Sequence, residues 1–350
     1  MSRSKADTTD NPLFGRFDDL LKTALHVPAE TGLGNFWGDR KKLTFADFFC
    51  GIGGFHAAAK ELGHLECVFA CDIDEDCRTT YAHNFKLKPE SDIRRIAVEN
   101  IPDHDILCAG FPCQPFSIIG DRGGFADARG TLFFDLARIL EAKRPQAFVL
   151  ENVKQLVSHN KGKTLQRILE ILRNFYSFVD FRVLNALHFG LPQKRERVLI
   201  VGFNGEIEGF PWPTRRLPMI PLSEILEEKP DKKHFVSDRI KRARQVAHKA
   251  KITPSIWHEN KAGNISSHPF SCALRAGASY NYLLVDGKRR LTPREMLRLQ
   301  GFPEWFEIVS SAAQARKQAG NSVPVPIVKA ILERVLHVRR AEAARNVAAA

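Results

Sequence analysis

The chain of 350 residues is short of the features that mark several protein classes. No apolar run approaches the roughly 18 residues of a membrane-spanning helix, so no membrane partner is expected. Met1–Asn11 is polar and lacks the apolar h-region of a secretory signal. The seven cysteines are odd in number and include no Cys-x-x-Cys pair. That argues against a disulfide framework and a zinc ribbon, and for a reducing cytoplasm. His56, His64, His83 and His104 are scattered rather than grouped at ligand spacing, so no metal is expected. No internal repeat is visible.

What is present is an ordinary globular composition, 44% hydrophobic and 26% charged. The length suits one large domain and a smaller one. The net charge of +12 is unevenly placed. Residues 1–150 carry 18 Lys and Arg against 22 Asp and Glu; the rest of the chain carries 34 against 18. A basic second half fits a polyanion partner, and equally fits a solvated basic surface.

Residues 1–42 read as an extension with one short helix candidate near Phe17–Leu25. From Leu43 strands and helices alternate. Strands are expected at Leu43–Cys50, Cys67–Cys71, Ile106–Ala109, Ala147–Leu150, Ser177–Leu184 and Arg197–Phe203. Helices are expected at Phe55–Gly63, Glu75–Asn84, Thr131–Ala142 and Leu165–Leu172, the last two with apolar residues at helical spacing. This pattern implies βαβ units and a mostly parallel sheet. At Gly205 the character changes to prolines, short basic runs and weak periodicity, which suggests a second, smaller domain. Thr292, Pro293 and Glu295 form a helix start with a capping box, and Gly301 and Pro303 end that helix. A final helix, Val325–Val338, is expected to return to the first domain, followed by a frayed tail.

Four motifs carry chemistry. The first is strand–Gly51-Ile52-Gly53-Gly54–helix, with Asp72 at the end of the next strand. Glycines let a ligand approach a helix N-terminus, and an acidic residue there can bind ribose hydroxyls. The spacing is not that of the dinucleotide fingerprint and does not separate a dinucleotide from S-adenosylmethionine. The second is Gly110-Phe111-Pro112-Cys113-Gln114-Pro115-Phe116-Ser117, directly after the third strand. Ligands of open α/β sheets lie beyond strand carboxyl ends, which makes Cys113 a candidate nucleophile. Cys67, Cys71 and Cys108 read instead as core residues. The third, Glu151-Asn152-Val153, places a carboxylate at the same sheet edge. The fourth, Gln193-Lys194-Arg195-Glu196-Arg197, aims Arg195 and Arg197 to one side of a strand. A cysteine, a glutamate and two arginines there can attack an electron-poor ring and neutralise the charge that develops.

Taken in order, these segments resemble the cytosine-C5 DNA methyltransferases, closely the bacterial modification enzymes. The matching stretches also include Asp47–Phe55, Asp92-Ile93, Arg129–Phe133, Arg290–Pro303 and Gly320-Asn321-Ser322-Val323. Together they cover about residues 43–203 and 285–337. The resemblance implies a Rossmann-like S-adenosylmethionine-dependent α/β domain, residues 43–204 and 310–338, and a target-recognition domain, 205–309. The extension 1–42 and the tail 339–350 flank them. It implies that Cys113 attacks cytosine C6, that Glu151 contacts ring N3 and the amino group, and that Arg197, supported by Arg195, orients the site. Phe45, Gly51, Gly53, Gly54, Asp72, Ile73, Asp92, Ile93, Pro112, Leu132 and Asn321 would bound the cofactor. Ile73 departs from the aromatic that relatives place against the adenine. Ile119 departs from the small polar residue that faces the vacated base space. Ser117, Ile119, Gln193 and Arg275 would meet DNA, and Lys241, Arg242 and Arg244 its phosphates. The target base must be flipped out of its duplex. A monomer is expected, with a cognate restriction endonuclease acting on the same site.

The rivals are an RNA cytosine methyltransferase on the same catalytic domain and a catalytically silent DNA-binding relative. The RNA branch carries a Cys-Phe-Thr segment that is missing here. Silent relatives lose the cysteine or the Glu-Asn-Val element, and both are present. A NAD-dependent dehydrogenase explains the glycine turn and leaves Pro112-Cys113-Gln114 without a role.

Overall fold

The computed structural model describes residue 19 and residues 42–112, 132–205 and 207–349, the side chains of 343–349 excepted. Along the chain run β1 (Leu43–Phe48), α1 (Gly54–Leu62), β2 (Leu65–Cys71), α2 (Glu75–Phe85), β3 (Ile106–Gly110), α3 (Leu132–Lys143), β4 (Ala147–Val153), α4 (Lys163–Arg173), β5 (Phe178–Asn185), β6 (Gln193–Lys194) and β7 (Glu196–Phe203). There follow α5 (Asp238–Ala247), β8 (Ile256–Glu259), β9 (Ile265–His268), β10 (Ser271–Cys272), β11 (Leu283–Val285), α6 (Pro293–Leu299), α7 (Ala312–Asn321) and α8 (Val325–Ala349).

The central sheet has the order β2-β1-β3-β4-β7-β5. It is α/β and mostly parallel: β7 alone runs antiparallel to its neighbours β4 and β5. Alternation along each strand feeds two cores. Phe45, Ile106, Cys108, Val149, Leu199 and Val201 face α1 and α8. Ala46, Phe48, Leu107, Ala109, Phe148, Leu150, Val198 and Ile200 face α3 and α4. A strand buried on both faces reads as a continuous apolar run, as β3 and β4 do. The chain leaves β1 toward β2 on one side and returns to β3 on the other. The crevice above the β1–β3 pair is therefore a topological switch point, where such sheets bind ligands.

The final helix does pack on α1. Val325, Val328, Ile331, Leu332 and Val335 are buried in the same core as Phe55 and Ala57–Ala59, and Lys329 pairs with Glu61 at 2.9 Å. It continues to Ala349 rather than stopping at Val338. The capping box at α6 forms: Thr292 Oγ1 accepts from the Glu295 amide at 3.2 Å, and the Thr292 amide donates to Glu295 at 2.8 Å. Residues just past Gly205 still pack on the central sheet. Phe210 and Trp212 continue the aromatic row from Phe203, and Trp212 Nε1 donates to Asp180 at 2.7 Å. Beyond them lies a three-stranded sheet, β11-β8-β9. Sequence periodicity does not announce that sheet or α7. The strands are three or four residues long, and α7 buries only Ala315, Gln318, Ala319 and Gly320, with no large apolar stripe.

Candidate active site

The ends of β1, β2, β3 and β4 and a helix turn enclose one cavity of about 430 Å³, within the roughly 300–1,000 Å³ of small-molecule sites. The turn after β1 brings Phe49 and Gly51 to its wall, both at positive φ, 52° and 54°. Gly51 tolerates this without strain. Asp72, just past β2, fixes the turn: its Oδ2 accepts from the Gly51 amide and its Oδ1 from the Asp74 amide, each at 2.8 Å. Burial raises the Asp72 pKa, and these two amides act against the rise. Beside it Ile73 is 67% exposed, an aliphatic surface on the cavity edge. Asp92 and Ile93 form another part of the wall. Asp92 grips Arg94 at 2.7 Å, and that hydrogen bond lowers its pKa.

The opposite wall carries Glu151 and Arg197. Gly110, Phe111 and Pro112 follow β3, and Glu151, Asn152 and Val153 end β4. Asn152 Nδ2 donates to the Phe111 carbonyl at 2.9 Å, tying the two strand ends together. Glu151 is buried and pairs with Arg197 Nε at 2.7 Å. Burial raises its pKa, while Arg197 and Arg195 hold it down in part. A carboxyl in that state can keep a proton at a pH where an ordinary one has lost it. Its Oε2 stands at the wall beside Gly110.

Arg195 also reaches the cavity but is held by backbone. Nη1 donates to Leu274 O at 2.9 Å, and Nη2 to Gly320 O at 3.0 Å and Ser322 O at 2.6 Å. Burial and the neighbouring Arg197 guanidinium oppose its charge; Glu151 favours it.

Of the expected cofactor residues, Gly51, Asp72, Ile73, Asp92, Ile93, Pro112, Leu132 and Asn321 line this cavity, as do Glu151, Arg195 and Arg197. Three do not. Phe45 lies inside β1, fully buried, edge-on to the His56 ring at 5.6 Å. Alternation turns it into the α1 core, and Phe49, one residue past the strand, takes the cavity position. Gly53 and Gly54 are packed elsewhere: a Cβ at Gly53 would strike Phe85, and one at Gly54 would strike Val323.

Two expected DNA contacts are also absorbed by the fold. Gln193 is fully buried; its Nε2 donates to Leu299 O at 2.6 Å and its Oε1 accepts from the Leu274 amide at 3.1 Å. Arg244 is buried in an ion pair with Glu259 and donates to Asn281 O at 3.1 Å. Neither side chain is free for DNA. On α5 Arg242 is exposed and Lys241 half-buried, while Arg275 lies over the Tyr282 ring at 4.8 Å. Cys113, Ser117 and Ile119 lie outside the described residues. Sequence reasoning missed Phe49, Cys71, Asp74, Cys77, Ser91 and Asn152 on the cavity wall. For Phe49 and Asn152 the available signal was their place at a strand end. Among the described residues no His, Cys, Asp and Glu group could hold a metal, and no helix is long and apolar enough to cross a membrane.

The model of the C-5 cytosine-specific DNA methylase family matches residues 43–337. The chain belongs to this family. It is 54% identical over 288 residues to the type II methyltransferase M.NgoBI of Neisseria gonorrhoeae, covering 81% of this chain and 90% of the relative. It is 50% identical over 295 residues to M.HaeII of Haemophilus aegyptius, covering 83% and 92%. A DNMT2 mutant structure from Spodoptera frugiperda superposes with a TM-score of 0.65 at 21% identity, covering 84% of this chain and all of that one. This likeness bears on the fold. The enzyme is thus a cytosine-C5 DNA methyltransferase that uses S-adenosylmethionine. The cavity fits that cofactor: carboxylates at Asp72 and Asp92 for hydroxyl and amino groups, and apolar surfaces at Phe49, Ile73, Ile93 and Leu132 for a flat base.

Proposed function

We propose that this methyltransferase modifies one cytosine of a specific duplex sequence, and that it protects host DNA in a restriction-modification system. It acts as a monomer in the cytoplasm, alongside an endonuclease of the same specificity that it need not touch. The type II names of the relatives at 54% and 50% identity support this reading over RNA methylation. The observation that carries the chemistry is the buried Glu151–Arg197 pair opening on the cofactor cavity.

S-adenosylmethionine, when bound, supplies an electrophilic methyl group. Cytosine C5 is a weak nucleophile until a covalent bond at C6 makes it enamine-like. Cys113, the residue after the cavity-lining Pro112, attacks C6 as thiolate and so divides one hard step into two easier ones. Glu151, with its raised pKa, gives a proton to ring N3 and accepts from the amino group, which stabilises the developing charge. Arg197 holds that carboxyl in place. After transfer a water molecule takes the C5 proton, the sulfur–C6 bond breaks to return the Cys113 thiolate, the N3 proton goes back to Glu151, and the ring regains its aromaticity. The base enters flipped from the stack. Ser117, Lys241, Arg242 and Arg275 contact the duplex, with Ile119 toward the vacated base space. Residues 205–309 form the recognition domain between the two parts of the catalytic domain, 43–204 and 310–338.

Bisulfite sequencing of host DNA after expression tests this reading. It should show one short sequence protected at a single cytosine. Unmethylated DNA together with methylated transfer RNA would overturn it.

A further inference from the structure

Asp92, on the cavity wall, has its carboxylate already engaged. It caps the short turn Ile93–Arg95, with Oδ1 accepting from the Arg94 amide at 3.1 Å. The Arg94 side chain takes the rest. Its Nε lies 2.9 Å from Oδ1 and 3.2 Å from Oδ2, and Nη2 donates to Oδ2 at 2.7 Å. An ionised carboxylate offers about four lone-pair sites, and these contacts fill them. An incoming amino group finds no acceptor there unless a donor leaves. The donor placed to leave is the Arg94 side chain, which is 58% exposed. Arg95, 3.9 Å from Oδ2, stays beside the acid.

A second acid attracts the same guanidinium. Asp135, in the first turn of α3, favours the charge of Arg94, and Arg94 favours that of Asp135. Asp135 is half-buried and accepts no hydrogen bond among the described residues. It lies three residues after the cavity-lining Leu132, on the same face of α3. Arg138, three residues further on, donates to the Ile93 and Ile96 carbonyls at 3.5 and 3.3 Å and so holds α3 against the turn.

We propose that Arg94 exchanges carboxylates: as the cofactor binds, its side chain turns from Asp92 to Asp135, and Asp92 is left to accept from the adenine amino group. The exchange rests on the reading that Asp92 meets that amino group. Arg94 and Asp135 are positioning residues, and neither lines the cavity. One solvent-facing ion pair replaces another, and such pairs are weak, so the exchange costs little. What it adds is discrimination. A base with an oxygen in place of the amino group has no proton to donate, and it does not make up for the bonds lost between Arg94 and Asp92.

The test is calorimetry on the whole enzyme with S-adenosylhomocysteine and its hypoxanthine analogue, which carries a carbonyl in place of the adenine amino group. The wild type should prefer S-adenosylhomocysteine by about tenfold or more, the weight of a hydrogen bond to a charged group. Arg94→Met should tighten S-adenosylhomocysteine about two- to fivefold, the range of an exposed ion pair, and leave the analogue no tighter. Asp135→Asn should weaken S-adenosylhomocysteine by a similar factor in the wild type. Added to Arg94→Met it should have no effect, since there is then no side chain to receive. An Arg94→Met protein that binds S-adenosylhomocysteine unchanged or more weakly would overturn the proposal. So would an Asp135→Asn effect that is equal in both backgrounds or equal for both ligands, which marks a residue that only supports the fold. Arg94 is exposed, so its replacement decides the matter even where the Asp135 variant does not fold. A wild type that binds the two ligands alike would instead count against the amino-group reading of Asp92, and the exchange would fall with it.

Discussion

Among the buried Arg–Glu pairs of the described residues, two are built in opposite ways. In one, Glu295 receives Arg289 at both oxygens, each at 2.8 Å, together with the amides of Thr292 and Glu227. Its carboxylate receives four donors, two at each oxygen. In the other, Glu151 receives Arg197 Nε at 2.7 Å and turns its second oxygen to the cavity wall. The same two residue types make a brace where every lone pair is used, and leave hydrogen-bonding capacity toward a ligand where one oxygen faces a cavity.

The sharpest way to break this comparison is to remove each carboxylate charge in turn. Glu151→Gln should lower single-turnover methylation by about a hundred- to ten-thousand-fold, the usual weight of a general acid, with a smaller fall in Tm than Glu295→Gln, because burial already favours the neutral form of Glu151. Glu295→Gln should behave the other way. It leaves a buried guanidinium without its counter-charge, at a cost of about 3–5 kcal/mol, which thermal denaturation would read as a large fall in Tm. Equal losses of stability in both variants would erase the distinction. Burial raises the Glu151 pKa, so the folded enzyme holds a proton that the unfolded chain has already released. The sign follows: this group's contribution to stability falls as pH rises from the ordinary carboxyl range through the folded pKa. The transfer rate should fall through the same folded value as the acid is lost. A pH series of single turnovers should show this limb in the wild type and lack it in Glu151→Gln.

A second contrast concerns cations. Lys241 and Arg242 lie at the surface of α5, whereas Arg244 on the same helix is closed in its pair with Glu259. Lys241→Ala and Arg242→Ala should each reduce the logarithmic salt slope of DNA binding by about 1. Arg244→Ala should leave the slope unchanged and lower stability. Titrations of fluorescent duplex at several salt concentrations separate these outcomes. The smallest effect expected is at Ile73, where an aromatic stacks on adenine better than an aliphatic. Ile73→Trp should tighten S-adenosylhomocysteine by about two- to tenfold, from the 0.5–1.5 kcal/mol of an aromatic pair. Weaker binding in calorimetry would place the adenine elsewhere.

Much of this arrangement is readable in the sequence wherever the cause is local. The glycine turn, the carboxylate ending β2, the Thr292–Glu295 capping box and the alternation of strands and helices all follow from neighbouring residues. The choice of Phe45 over Phe49 shows where locality fails. Both belong to one apolar stretch, and only the end of the strand, with φ turning positive at Phe49, decides which ring reaches the cavity. Gln193 and Arg244 fail for another reason. Their partners Leu274, Leu299 and Glu259 come from distant or separately folded segments, so nothing beside them in sequence tells a brace from a DNA contact. The division of the 205–309 region into α5 and a small sheet is obscured by the shortness of its strands.

The central claim is that Cys113, the residue after Pro112 in the sequence, is the nucleophile. Duplex DNA with 5-fluorocytosine at the target position tests it directly, because fluorine cannot leave C5 as a cation. With S-adenosylmethionine the wild-type enzyme should stall as a covalent complex that survives denaturation and shifts on a denaturing gel. Cys113→Ser should form none, since a hydroxyl is far less ionised and less nucleophilic than a thiol near neutral pH. A Cys113→Ser protein that still traps the fluorinated duplex would show that another residue makes the bond to C6, and the account would be wrong.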